Sequence, residues 1–411
     1  MRRKSALLPI VFLAIAFFFL SRPFAAATSS QKARAGSADA EFEKLVKPGE
    51  PGFAVLVRYK GRSAFERAYG VRDLRSKTPI DSATNFRLAS CTKQFTAMAV
   101  MLLAHDGKLR YDESLAAIFP EFPAYGKAIT IRNLLQHTSG LPDYEDLMDA
   151  LEKVRGPIWS PEKQIQDSEV LALLEKQSAG KFAPGTSWSY SNSGYVALGL
   201  VVAKISGEPF PEFLHERIFA PLRMNSTLAF VKGKNTIPNR AFGHSRSSDA
   251  SGVGSAFRET DQSATSATLG DGGIYSNLND LAKWDDALRN HTLLSAAEMA
   301  PAFIPAKLAD GSEPRWPVAE SGDDNLHPGK PVSYGFGWFL DPYRASDNSD
   351  SALHPRMWHY GSTMGFRTYI ERFTEGPLTV IVLSNRTDLD PEKIAQQMAS
   401  TYLPVAVAAH R

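Results

Sequence analysis

The chain of 411 residues holds one cysteine, Cys91, so an internal disulfide is excluded and the fold must rest on core packing. It lacks His-Glu-x-x-His and any His-x-His-x-Asp cluster, although nine histidines are available. His354 and His359 are separated by Pro355, which argues against one helical face. No Gly-x-Ser-x-Gly elbow is present, which disfavours an α/β-hydrolase. Charge of either sign is not in excess: 46 basic residues face 44 acidic ones, and nothing suggests a nucleic-acid partner. No internal repeat or coiled-coil heptad is visible.

Long apolar runs are also scarce. The main one, Ala6 to Leu20, follows the basic residues Arg2, Arg3 and Lys4 and precedes Ala25-Ala26-Ala27. A spanning helix needs about 20 apolar residues, so this pattern reads as a signal peptide over 1–27, cut after Ala27, rather than an anchor. A periplasmic or secreted protein without a permanent span is expected. Loss of Arg2, Arg3, Lys4 and Arg22 leaves 42 basic against 44 acidic residues.

Strand patterns occur at 52–61 and 63–69, and again at 334–340, 365–373 and 378–383. Helical periodicity dominates between them, and a last helix is expected at 391–402. The expectation is an α/β (α+β) fold in which both chain ends build one antiparallel sheet around an inserted, mostly helical lobe. The boundaries are about 38–90 and 331–411 for the α/β lobe and about 91–330 for the helical one. The stretch 245–271, rich in Ser, Ala, Gly and Thr, reads as a long surface excursion.

Ser90-Cys91-Thr92-Lys93 opens an uncharged helix, Gln94 to Ala104. A hydroxyl and an amine three residues apart share a helical face, and a buried amine can take a serine proton. Ser-x-x-Lys also starts at Ser29, Ser160 and Ser178, but only Ser90 follows an extended segment and begins a buried helix. Ser29 is expected in a disordered polar stretch, Ser160 as a helix cap and Ser178 at a helix end. Cys91 reads as a small buried hydrophobe. Tyr190-Ser191-Asn192 offers a phenol and a carboxamide, and its repeat at Tyr275 to Asn277 reads as packing before a capped helix. His359-Tyr360-Gly361-Ser362 enters a strand, where glycine marks a close approach. The N–H groups of Ser90 and Ser362 would then face a developing oxyanion.

Ser-x-x-Lys, Tyr-x-Asn and His-x-Gly in this order, with His137-Thr138-Ser139-Gly140, resemble the class C-type branch of the serine β-lactamase and penicillin-binding-protein superfamily. The resemblance implies a β-lactamase/transpeptidase-like fold and a Ser90 acyl-enzyme. Lys93 and Tyr190 would share the proton work, and Asn192, His359 and Gly361 would help hold the substrate. It implies no cofactor or metal, and a small-molecule or peptide acyl substrate. His137 and its neighbours look like a structural turn. Lys-Thr-Gly is absent and His359 takes the lysine's place, a variant nearer to DD-peptidases, D-aminopeptidases and esterases. A class C-like β-lactamase and a catalytically silent binding protein are the alternatives. An ordinary histidine titrates near pH ~6.5, so His359 is also expected to add pH sensitivity. Oligomeric state is not legible.

Overall fold

The computed structural model describes residues 28–247, 256–318, 326–344, 353–376 and 378–403. Residues 1–27, read above as a signal peptide, and part of the 245–271 stretch lie outside these. Along the chain, helix α1 (Ser29–Phe42) precedes strands β1 (Phe53–Tyr59), β2 (Arg62–Tyr69) and the short β3 (Phe86–Arg87). Helices α2 (Lys93–His105), α3 (Tyr144–Arg155) and α4 (Asn192–Ser206) follow. Then come β4 (Leu228–Ala229), β5 (Ile274–Ser276) and α5 (Leu278–Asn290). The chain closes with β6 (Arg356–Thr363), β7 (Phe366–Phe373), β8 (Leu378–Ser384) and α6 (Pro391–Tyr402).

The main sheet has the order β6-β7-β8-β1-β2 and is antiparallel throughout, so both chain ends do build it. The first strand, paired Phe53 to Ser384 and Tyr59 to Leu378 along β8, is an interior and largely apolar strand. Its side chains alternate between two cores. Phe53, Val55 and Val57 pack with Phe42 of α1 and with Ile394 and Met398 of α6. Ala54 and Leu56 face the opposite way, toward α2, α4 and α5. This two-residue period is what a strand covered on both faces requires. β2, carrying Arg62, Glu66 and Arg67 outward, ends the sheet as a charged edge.

One buried carboxylate ties the helical layer to the sheet. Asp285 of α5 receives Arg58 Nε at 2.9 Å and Arg372 Nε at 2.8 Å, together with the Thr379 hydroxyl at 2.8 Å. Buried charges persist when paired and hydrogen-bonded in this way.

Three local expectations change. Residues 334–340 form no strand but a tight glycine turn, bridged to β6 only through Phe339 and Trp358. Gly337 has φ +75° and sits where a Cβ would come within 2.7 Å of the Lys93 carbonyl. Ser29 begins α1, capped by Thr28, rather than lying in an irregular segment. Ser160 caps no helix: its hydroxyl accepts from the amides of Glu162 and Lys163 in a local turn.

Candidate active site

Ser90 lies in a single tight turn, 89–92, that leads into α2. The turn is reached through β3, whose Phe86 and Arg87 pair with Ser276 and Tyr275 of β5. Ala89 adopts φ +47°, a left-handed conformation that costs free energy for a residue with a Cβ. The kink stands immediately before the candidate nucleophile. Against the same turn lies β6, and Gly361 is what allows the approach: a Cβ there would sit 2.2 Å from the Leu88 carbonyl oxygen. Cys91, fully buried, turns away and donates to the His359 carbonyl at 3.3 Å. Burial pushes its thiol pKa up, and Lys93 pulls only weakly against this.

Lys93 has no solvent exposure. Three oxygens surround its amine: Ser90 Oγ at 3.0 Å, Asn192 Oδ1 at 2.8 Å and the Asp271 carbonyl at 3.0 Å. Its Nζ also lies 4.8 Å from the centre of the Tyr190 ring and 5.6 Å from that of Tyr195. Thus Ser90, Lys93, Tyr190 and Asn192, distant in sequence, come together. Asn192 is the first residue of α4, held there by Ser191, whose hydroxyl accepts from Gly194 N at 3.0 Å.

Tyr190 is placed by the turn at 137–140. His137 adopts φ +60°, and its carbonyl accepts from Ser189 N at 3.1 Å. Its ring Nδ1 accepts from Ser191 N, also at 3.1 Å. One residue therefore grips the backbone on both sides of Tyr190, and its ring packs 4.4 Å from the tyrosine ring. Thr138 and Gly140 continue the lacing, accepting from Gly185 N and Lys181 N. With Nδ1 accepting, the proton resides on Nε2. Burial, then Lys93 and His359, hold this imidazole neutral.

His359 is placed differently from the sequence expectation. Its ring does not line the cavity. Instead Nε2 accepts from the Tyr334 hydroxyl at 3.0 Å, and Nδ1 donates to the Tyr360 carbonyl at 2.6 Å. Burial, reinforced by Lys93, pushes its pKa down to about 3. The expected titration near neutral pH is therefore replaced by a neutral ring in an aromatic layer with Tyr334, Phe339 and His137. Tyr275 is buried in β5, against Phe366 and Phe230.

A cavity of about 820 Å³ opens over this centre. Ser90, Tyr190, Asn192 and Ser362 line it; Gly361 and His359 do not. Asp271 is a wall residue that sequence reasoning did not single out. The available signal was an acid set among Gly270, Gly272 and Gly273, where a tight turn calls for small residues.

Comparison with known proteins agrees with this architecture. The Beta-lactamase family model matches residues 38–402. Penicillin-binding protein 4* of Bacillus subtilis is 29% identical over 353 residues, covering 84% of this chain and 71% of that protein. A D-aminopeptidase of Cereibacter sphaeroides is 27% identical over 362 residues, and the match spans 87% of this chain but only 60% of the relative. Among solved structures, D-amino acid amidase from Ochrobactrum anthropi SV3 superposes with TM-score 0.68 at 23% identity, covering 91% of this chain and 98% of that one. A penicillin-binding protein homologue from Pyrococcus abyssi, described as octameric, gives TM-score 0.69 at 23% identity, over 90% of this chain and 76% of that one. These two likenesses establish a shared fold.

Proposed function

As the chain belongs to the β-lactamase family of serine hydrolases, we propose that it cleaves esters, peptides or amides through a Ser90 acyl-enzyme. The observation that carries this reading is the fully buried Lys93 amine 3.0 Å from Ser90 Oγ, with the Tyr190 ring beside it. Ser90 Oγ attacks the acyl carbonyl while its proton passes to the Lys93–Tyr190 pair. The bond to the leaving group then breaks, and the leaving group takes that proton. Water attacks the acyl carbon in the second half-reaction and gives its proton to the same pair; the bond from that carbon to Ser90 Oγ then breaks, and Oγ takes the proton back as the acid leaves. Asn192 orients the lysine through its Oδ1, and the N–H groups of Ser90 and Ser362 supply the oxyanion site. The turn at the start of α2 adds the positive end of a helix dipole.

Esterase or D-amino-acid-type peptidase activity is favoured over β-lactam hydrolysis. The third motif provides a buried neutral imidazole where a lysine would offer a permanent cation. Hydrolysis of β-lactams is the second reading, because Arg367 lines the cavity and is a cation that could meet a carboxylate. The basic and apolar pattern of residues 2–20 favours action in the periplasm or outside the cell.

The test is labelling with a fluorophosphonate probe, read by intact mass. Native protein should gain one adduct and Ser90→Ala none, with hydrolysis falling by roughly 10³-fold or more in the variant. Equal labelling of both proteins would overturn the assignment of Ser90. Absence of labelling and of turnover would favour the silent binding protein. A p-nitrophenyl ester, a D-amino-acid amide and a chromogenic cephalosporin, assayed in parallel, then rank the substrate classes.

A further inference from the structure

The cavity wall beside the lysine amine holds a carboxylate that the hydrolytic steps above do not use. Asp271 gives its backbone carbonyl to Lys93 Nζ at 3.0 Å, yet its side chain is a separate group. The residue is only 6% exposed and borders the cavity. The carboxyl receives the Tyr144 hydroxyl on Oδ2 at a long 3.4 Å, and the Thr268 hydroxyl and the residue's own amide also act on it. Oδ1 has no hydrogen-bond partner among the described residues. Burial leaves the carboxyl pKa raised, while Lys93, then the Thr268 hydroxyl, the residue's own amide and Arg87, pull against it.

Arg87 does not satisfy this oxygen. Its Nε and Nη2 donate to the carbonyls of Gly272 and Ser266, and no hydrogen bond to Asp271 is formed. An ionised carboxylate is an acceptor only, and leaving one of its oxygens, here Oδ1, desolvated without a donor is costly. Asp143, Glu145 and Asp146, which surround Tyr144 in sequence, also line the cavity, whose cations are Arg87, Lys181 and Arg367. A ligand that supplies N–H donors and positive charge matches this wall.

Reach narrows where that charge sits. One amine, Lys93 Nζ, lies 3.0 Å from both Ser90 Oγ and the Asp271 carbonyl. A substituent one carbon from the attacked carbonyl therefore falls in the neighbourhood of Asp271, whereas a distant cation does not. Resting on the Ser90 hydrolase reading, we propose that Asp271 anchors a protonated α-amine on the acyl part of the substrate. The substrates are then amides, esters or peptides of amino acids with a free amine, and N-acylated equivalents are poor.

The test compares alanine p-nitroanilide, in both enantiomers, with its propionyl analogue, which lacks only the amine. Protection from the fluorophosphonate probe by alaninamide and by propionamide gives a second readout. For the native protein, kcat/KM should favour the free amine of the preferred enantiomer by about tenfold or more, the size of a charge-assisted contact made in a buried site. Asp271→Asn should bring that ratio close to one, and Asp271→Glu should keep part of it, with melting curves checking that both variants fold. Alaninamide should protect the native protein better than propionamide does.

A flat ratio and equal protection in the native protein would overturn the proposal while leaving the hydrolase reading intact, provided Ser90 is labelled. A preference that survives in Asp271→Asn would also overturn it. Equal slowing of both substrates in that variant would assign the carboxyl to proton transfer instead. Failure of the probe to label Ser90 would remove both readings together.

Discussion

Two buried layers meet at Tyr190, and burial has opposite consequences in them. In front, Lys93 is completely enclosed, but its amine is met by the oxygens of Ser90, Asn192 and Asp271. Behind, His137 and His359 are equally enclosed among Trp188, Tyr334 and Phe339, and both imidazoles are held neutral. The difference lies in the partners. Converging oxygens hold the amine beside the serine hydroxyl, whereas aromatic faces and fixed hydrogen bonds hold each imidazole as one neutral tautomer. The front layer would do chemistry and the rear layer would hold it in register.

That division is broken most directly at Tyr190, the residue shared by both layers. Tyr190→Phe keeps the ring and its contacts with His137, so the melting temperature should stay close to that of the native protein. Steady-state hydrolysis of a p-nitrophenyl ester should fall by about 10²-fold or more if the hydroxyl carries a proton. A loss below about threefold would confine Tyr190 to packing.

A smaller effect is expected at His137, where the rear layer positions the front. His137→Ala removes the Nδ1 acceptor and the ring that packs on Tyr190. It should lower kcat by roughly tenfold with KM little changed, because a misplaced catalytic group costs rate more than binding. His137→Asn, which can restore an acceptor for Ser191 N, should recover part of kcat. If Ala and Asn behave alike in kcat while differing in stability, His137 serves folding alone.

The smallest effect concerns pH. His359 has its folded-state pKa depressed to about 3 by burial and by Lys93. The unfolded chain therefore binds the proton more readily than the native protein. The resulting stability is fully present above the ordinary histidine value near ~6.5 and is lost as pH falls toward the folded value. Urea midpoints at pH 7 and pH 4 should show the gap between native protein and His359→Gln narrowing at the lower pH. The pH–rate profile should show no limb near 6.5 that this substitution removes. Such a limb would mean that the ring reaches the substrate and titrates there.

Much of the front layer is legible in the chain, because its members recur at short, chemically meaningful spacings. Ser90 and Lys93 lie one turn apart, and Tyr190 and Asn192 flank a serine that caps a helix. The rear layer is less legible. Tyr334 to Leu340 alternates like a strand, yet Gly335 and Gly337 bend it into a turn that presses on the first turn of α2. A histidine in His-x-Gly reads the same whether its ring meets substrate or Tyr334, since side-chain direction depends on which face of β6 the pairing with β7 turns inward. Asp271 left a faint trace, an acid among glycines, with nothing local to show that its carboxyl would be buried at a cavity wall.

Local patterning alone thus specified the alternating strands at both ends, the uncharged α2, the capped start of α5 and the span of α6, since periodicity and capping act over a few residues. Packing decided what those patterns leave open: that the Ser90, Asn192 and Asp271 oxygens close around one amine, and that His359 faces an aromatic wall. These outcomes depend on contacts between segments from 25 to 178 residues apart, and no short-range rule encodes the distance or the dielectric between them.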